Sequence, residues 1–194
     1  MLVIPWADPE TGTHFVNLRT EPYDLAEIPE AEQHPPLGRA LRALNAVRSP
    51  FMTAKCDAWP VSGREGLADL EPLRIELVLP EEECSAAFTS YIDLLWRERG
   101  VFASAHHQQD RLDRLSRRAG KLQHPEAALQ CVLRPAMLDI DSPLEGFATT
   151  LYVTGVAANV DLARQRWASA LEDVVDLLRS REFEIARGSA TIDL

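Results

Sequence analysis

Apolar residues recur at helical spacing near the end of the chain. Val160, Ala163, Trp167, Ala170, Leu171, Val174, Leu177 and Leu178 form one stripe, and Asn159 stands where a capping side chain is needed. This spacing predicts the longest helix. A second stripe, Leu37, Ala40, Leu41, Leu44 and Val47, follows Pro35-Pro36, so a short first helix is expected there. A third stripe, Cys84, Ala87, Phe88, Tyr91, Ile92 and Leu95, follows Pro80 and three glutamates and precedes Gly100. Proline, early acid and late glycine are helix signals, so 80–98 is expected to be helical. Residues 106–121 are polar with a narrow stripe at Leu112 and Leu115, which fits a surface helix.

Elsewhere the period is two. In 51–59, Met52, Ala54, Cys56 and Ala58 alternate with Phe51, Thr53, Lys55, Asp57 and Trp59. In 73–79, Leu73, Ile75, Leu77 and Leu79 alternate with Arg74, Glu76 and Val78, and the two segments are expected to pair as antiparallel strands. In 127–134, Leu129, Cys131 and Leu133 point one way, and Gln130, Val132 and Arg134 the other. In 147–154, Phe147, Thr149, Leu151 and Val153 oppose Ala148, Thr150, Tyr152 and Thr154. Phe183 and Ile185 suggest a short edge strand. Prolines 5, 9, 22, 29, 35 and 36 exclude a long helix or a central strand from 1–36, which reads as an extended arm anchored by Trp6, Phe15 and Tyr23.

The predicted order contains strand-strand-helix twice, at 51–98 and 127–180. The expected fold is therefore α+β: one domain over 1–194, with an antiparallel sheet, helices packed on one face, and the Pro-rich arm laid over a core of 37–194. Its 194 residues and 46% hydrophobic content suit such a domain.

Charge narrows the partners. Thirty acidic against 20 basic residues leave a net charge of -10, which disfavours nucleic acid and anionic membrane surfaces. Lys55 and Lys121 are the only lysines; the other basic residues are arginines. Residues 100–125 form a net-basic island through Arg111, Arg114, Arg117, Arg118 and Lys121, and docking against the chain's own acidic surface accounts for it. Cys56, Cys84 and Cys131 lack metal-finger spacing and lie in apolar stretches, as expected of buried thiols in a reducing compartment. With no basic leader and no long apolar run, a cytoplasmic protein is expected.

Candidate chemistry gathers on the polar half of the strands. Lys55, Asp57, Trp59, Arg74, Glu76, Arg134 and Tyr152, with Thr53, Gln130, Thr150 and Thr154, are expected on the sheet face away from the helices. Lysine and arginine would hold an anion, a carboxylate would move a proton, and Trp59 and Tyr152 would stack on a ring. The same face could be covered by a second copy, or simply be solvated with charges paired across strands. His106 and Asp110 share a helical face and, with His124, make a sparse metal candidate without a recognisable motif. No nucleophile elbow, P-loop or dinucleotide glycine pattern occurs. The leading expectation is a protein that acts by association through the open face, as a homodimer or with a protein partner. A small-molecule-binding protein or enzyme using that face is the alternative.

Overall fold

The computed structural model describes residues 1–61, 75–80, 83–122, 124–139 and 142–192. Its elements in chain order are β1 (Leu2–Ile4), α1 (Pro29–Gln33), α2 (Pro35–Leu44), β2 (Phe51–Val61) and β3 (Ala86–Trp96). There follow α3 (Arg99–Phe102), α4 (Ala105–Ala119), β4 (Ala127–Leu138), β5 (Leu144–Ala157) and α5 (Val160–Leu178). Short 3-10 helices occupy Pro22–Glu27 and Arg181–Phe183. The fold is α+β, built on a five-stranded sheet in the order β1-β4-β5-β3-β2. The sheet is mixed rather than purely antiparallel, because β1 joins β4 in parallel while the other neighbours are antiparallel.

The largest departure from expectation is 80–98, which contains β3 rather than a helix. β3 lies between β2 and β5, and every residue in it except Tyr91 is buried. A strand covered on both faces loses its polar alternation, and its continuous apolar run then imitates a helical stripe. The expected strand at 73–79 also fails. Residues 75–77 form a helical turn, with Ile75 and Val78 exposed, and Leu73 and Arg74 lie outside the described residues. β2 accordingly pairs with β3, and the strand-strand-helix repeat does not exist. Phe183 sits in a 3-10 turn with its ring in the core instead of on an edge strand.

The proline-rich beginning is more structured than an arm. It gives the sheet an edge strand, β1, followed by a cis Ile4-Pro5 bond and the short helix α1. Trp6 and Phe15 are half-buried as anchors, but Tyr23 is 92% exposed and anchors nothing.

The main core joins residues of α2, α4 and α5 to Phe88, Ile92, Leu94, Leu151 and Val153, which share one face of β3 and β5. A smaller cluster on the opposite strand positions contains Ile4, Met52, Ala54, Leu95, Ala136 and Ala148, together with Phe102 of α3. The long helix starts as expected, with Asn159 Oδ1 accepting from the Leu162 N–H at 2.9 Å. Trp167 is its fully buried centre: the ring packs on Phe88, and Nε1 donates to Ser90 Oγ at 2.8 Å. Trp167, as its place in the stripe suggested, is a core residue, and so is Trp96.

The helix reaches the sheet this closely because β5 has Gly155 at the contact. A Cβ on Gly155 would collide with the Trp167 nitrogen and lie 2.5 Å from the Ala163 carbonyl oxygen. Both are backbone atoms of α5, so relief requires moving the helix itself. No helix among the described residues is long and apolar enough to cross a membrane.

Gly155→Ala is expected to destabilise the fold by about 3 kcal/mol, at the upper end of overpacking effects. Urea denaturation measures this directly. A loss below about 0.5 kcal/mol, typical of an unconstrained surface site, would show that α5 shifts freely on the sheet.

Candidate functional site

The site is shaped by a β-bulge. Pairing of β2 with β3 shifts between Thr53 and Cys56, so the two halves of β2 are out of phase. Before the shift, Phe51 joins the main core and Met52 the smaller cluster; Ala54, within the shift, also joins the smaller cluster, and after it Cys56 and Ala58 face the main core. A simple alternation along 51–59 is therefore wrong for Thr53. Thr53 is buried on the α2 side, where Asn45 grips it twice: Nδ2 donates to Thr53 Oγ1 at 2.7 Å, and the Thr53 N–H donates to Asn45 Oδ1 at 3.0 Å. Asp57 and Trp59, beyond the bulge, lie opposite Tyr91 and Thr89 of β3, a partner the sequence did not suggest.

On the face of the sheet away from the main core, aromatic rings follow the register. Asp57 lies opposite Tyr91, Tyr91 opposite Tyr152, and Tyr152 opposite Gln130. The Trp59–Tyr91 and Tyr91–Tyr152 ring centroids are each 6.1 Å apart, a three-ring row across β2, β3 and β5. Arg134 reaches this row from β4, donating from Nη2 to the Tyr152 hydroxyl oxygen at 2.9 Å.

Two cavities adjoin at Lys55 and Tyr91. One, of about 380 Å³, is lined by Met1, Leu2, Lys55, Tyr91, Asp93, Arg134 and Tyr152. The other, of about 400 Å³, lies where the N-terminal segment and α1 meet β2 at its bulge, and includes Trp6, Asp8, Glu27, Glu30, Lys55 and Asp57. Trp6 forms a wall that is fixed to the floor: Nε1 donates to the Ala54 carbonyl at 2.9 Å, and the Lys55 ammonium stands 4.4 Å over the indole. The loop behind Trp6 is closed by Asp8, which accepts from the Glu10 N–H and the Thr11 hydroxyl, and by Gly12 at φ +75°.

Asp93 is the acid that sequence periodicity hides, because it falls within the expected helix. It is buried, lines the first cavity, and accepts from Thr150 Oγ1 at 2.5 Å. Burial raises its pKa above the ordinary carboxylate value, against the opposing pull of the Thr150 hydroxyl, Arg134 and Lys55. Burial, reinforced by Asp93 and Asp57, also raises the Tyr91 phenol to about 12, so it stays a hydrogen-bond donor at neutral pH. Cys56 is likewise pushed up to about 12, chiefly by burial, and is no nucleophile.

Of the expected site residues, Lys55, Arg134 and Tyr152 line the first cavity and Asp57 the second, while Trp59 stands at the end of the aromatic row. Glu76 does not join them. It lies on the exposed turn at 75–77, and Arg74 falls outside the described residues.

The metal candidate is not assembled. His106 and Asp110 approach to 3.8 Å at the start of α4, whereas His124, beyond its other end, pairs with Asp173 of α5 at 2.6 Å. A helix of this length separates the two sites by roughly 20 Å. No group of three or more metal-ligating side chains occurs among the described residues. The basic island is partly neutralised within the chain, by Arg111–Glu98 and Arg118–Glu182 at 3.4 and 3.3 Å.

Compared with known protein families, curated proteins and solved structures, the chain matches none.

The raised Asp93 pKa gives a signed pH dependence. Its contribution to stability is fully present below the ordinary value of 3.8 and is lost as pH rises through the folded pKa. Asp93→Asn keeps an acceptor for Thr150 without the charge, so its stability relative to the native chain should increase from acid to neutral pH. Urea denaturation of both proteins across that range checks this; a constant difference would mean that Asp93 ionises in the fold without penalty.

Proposed function

We propose that this protein binds a small planar molecule carrying an anionic group, in the cleft on the open side of the sheet. The observation that carries this reading is the pair of adjoining cavities sharing Lys55 and Tyr91, with Asp93 buried in the wall of one. Their combination of aromatic surface and a few convergent polar groups is typical of ligand sites. In this reading, α2, α4 and α5 pack on the other face of the sheet and α3 covers only one end of this face through Phe102, leaving the rest to ligand.

The roles follow from the side chains. Tyr91 and Tyr152 offer ring surface, and Arg134, already oriented by the Tyr152 hydroxyl, offers a planar fork to a carboxylate or phosphate. Lys55 adds a second cation from the cavity boundary. Asp93 and the Tyr91 hydroxyl read the polar edge of the ring. Binding alone accounts for this arrangement, and an acid-base reaction at Asp93 would be an extension of it.

Self-association through the same face is the second reading. It is favoured by Val132 and Trp59, outward-facing apolar side chains that are 41% and 37% exposed. A second copy laid over this face would cover both.

Titration calorimetry with benzoate and phenyl phosphate tests the first reading. The native chain should bind at least one of them, and Arg134→Gln should weaken that binding about tenfold, as loss of a charge-assisted contact implies. Equal affinity for both proteins, or none for either, would reject the site. Native mass spectrometry tests the second reading: a covering copy predicts a dimer mass that Val132→Glu removes, whereas the cleft reading expects a monomer.

A further inference from the structure

The two cavities differ in charge. Around the first, Lys55 and Arg134 face the single carboxyl of Asp93. Around the second, Asp8, Glu27, Glu30 and Asp57 face only Lys55 and His14. Two of those four acids are committed locally, Asp8 to its own turn and Glu27 to His14 at 3.8 Å. Asp57 and Glu30 remain: Asp57 accepts from the adjacent Ala58 N–H at 2.7 Å, and Glu30 makes no ion pair among the described residues.

This second lobe already accommodates an ammonium group. Lys55, which lines both lobes, holds Nζ 4.4 Å over the Trp6 ring, so the aromatic wall of the second lobe already takes an ammonium group on its face. The opposite ends of the cleft are also suitably spaced. Asp57 pairs with Tyr91 and Tyr91 with Tyr152, so Asp57 and the Tyr152–Arg134 contact are two strand spacings apart, about 10 Å.

Building on the ligand-binding reading, we propose that the cleft selects a two-ended ligand, with its anionic group against Arg134 in the first lobe and an organic cation between Asp57, Glu30 and the Trp6 ring in the second. The ring or chain joining the ends lies over Tyr91. Lys55, at the junction, turns from Trp6 toward the anion as the ligand's own cation takes its place. A singly charged acid leaves the second lobe's carboxylates without a new partner and gains only half of the available contacts.

Calorimetry on the full chain tests this with 4-(aminomethyl)benzoate and 3-[4-(aminomethyl)phenyl]propanoate, two lengths of two-ended ligand. Each is compared with the matched acid in which a methyl group replaces the aminomethyl group. At least one amino compound should bind about tenfold more tightly than its matched acid, as one added charge-assisted contact implies. Asp57→Asn should erase that margin while leaving affinity for the methyl acid unchanged, which also shows that the variant is folded. The inference is overturned if the methyl acids bind as tightly as the amino compounds, or if the margin survives in Asp57→Asn; in either case the anion-binding reading stands. If no compound binds, both fall.

Discussion

The contact between α5 and β5 at Gly155 sets the geometry on which the rest of the sheet depends. With no side chain at that position, the helix backbone comes within van der Waals range of the strand, and Trp167 enters the core far enough for its N–H to reach Ser90 on β3. One indole thereby ties the helix to two neighbouring strands. Burying a tryptophan contributes about 3–5 kcal/mol by the cost of its removal, a large share of a domain's net stability. The polar groups on the other face of β3 and β5 consequently rest on a stiff floor, with the Tyr91–Tyr152 and Thr150–Asp93 contacts already formed in the fold.

Much of this arrangement is legible in the sequence wherever an element has one wet side. The stripe from Val160 to Leu178, the polar helix with Leu112 and Leu115, and the alternation through Leu129, Cys131 and Leu133 each contrast core with solvent, and each gives the correct element. β3 lacks that contrast. Its outward positions, Thr89 and Asp93, are themselves buried, so no polar period marks them, and the glutamates before it supply a misleading helix signal. One such misreading propagates: a helix over 84–95 leaves β2 in need of another strand partner, and it conceals Asp93 from the candidate site.

The bulge in β2 is harder to read for a different reason. Alternation continues through 51–59 in the amino-acid types, but the pairing slips between Thr53 and Cys56, so identical parity means opposite faces in the two halves. Thr53 looks like a residue of the polar face but turns toward α2, where Asn45 holds it. Asp57 and Trp59 fall on the face that alternation gives them because they lie past the slip, and Arg134 and Tyr152 because β4, β5 and β3 pair without a break. The wall formed by Trp6 gives no local signal: only the folded chain brings residue 6 beside residue 54.

That wall also makes the cleft and the chain's beginning thermodynamically inseparable. Lys55 and Ala54 hold Trp6, and β1 holds its place by parallel pairing to β4 over Leu2–Ile4. A three-residue edge strand is among the first parts of a sheet to open. Any molecule that needs the closed wall must therefore suppress that opening by the free energy of its own binding, and by reciprocity whatever loosens the first residues lowers affinity by the same factor. Amide hydrogens at Val3 and Ile4, next to Leu2 in the first cavity's lining, would then report such a molecule's occupancy.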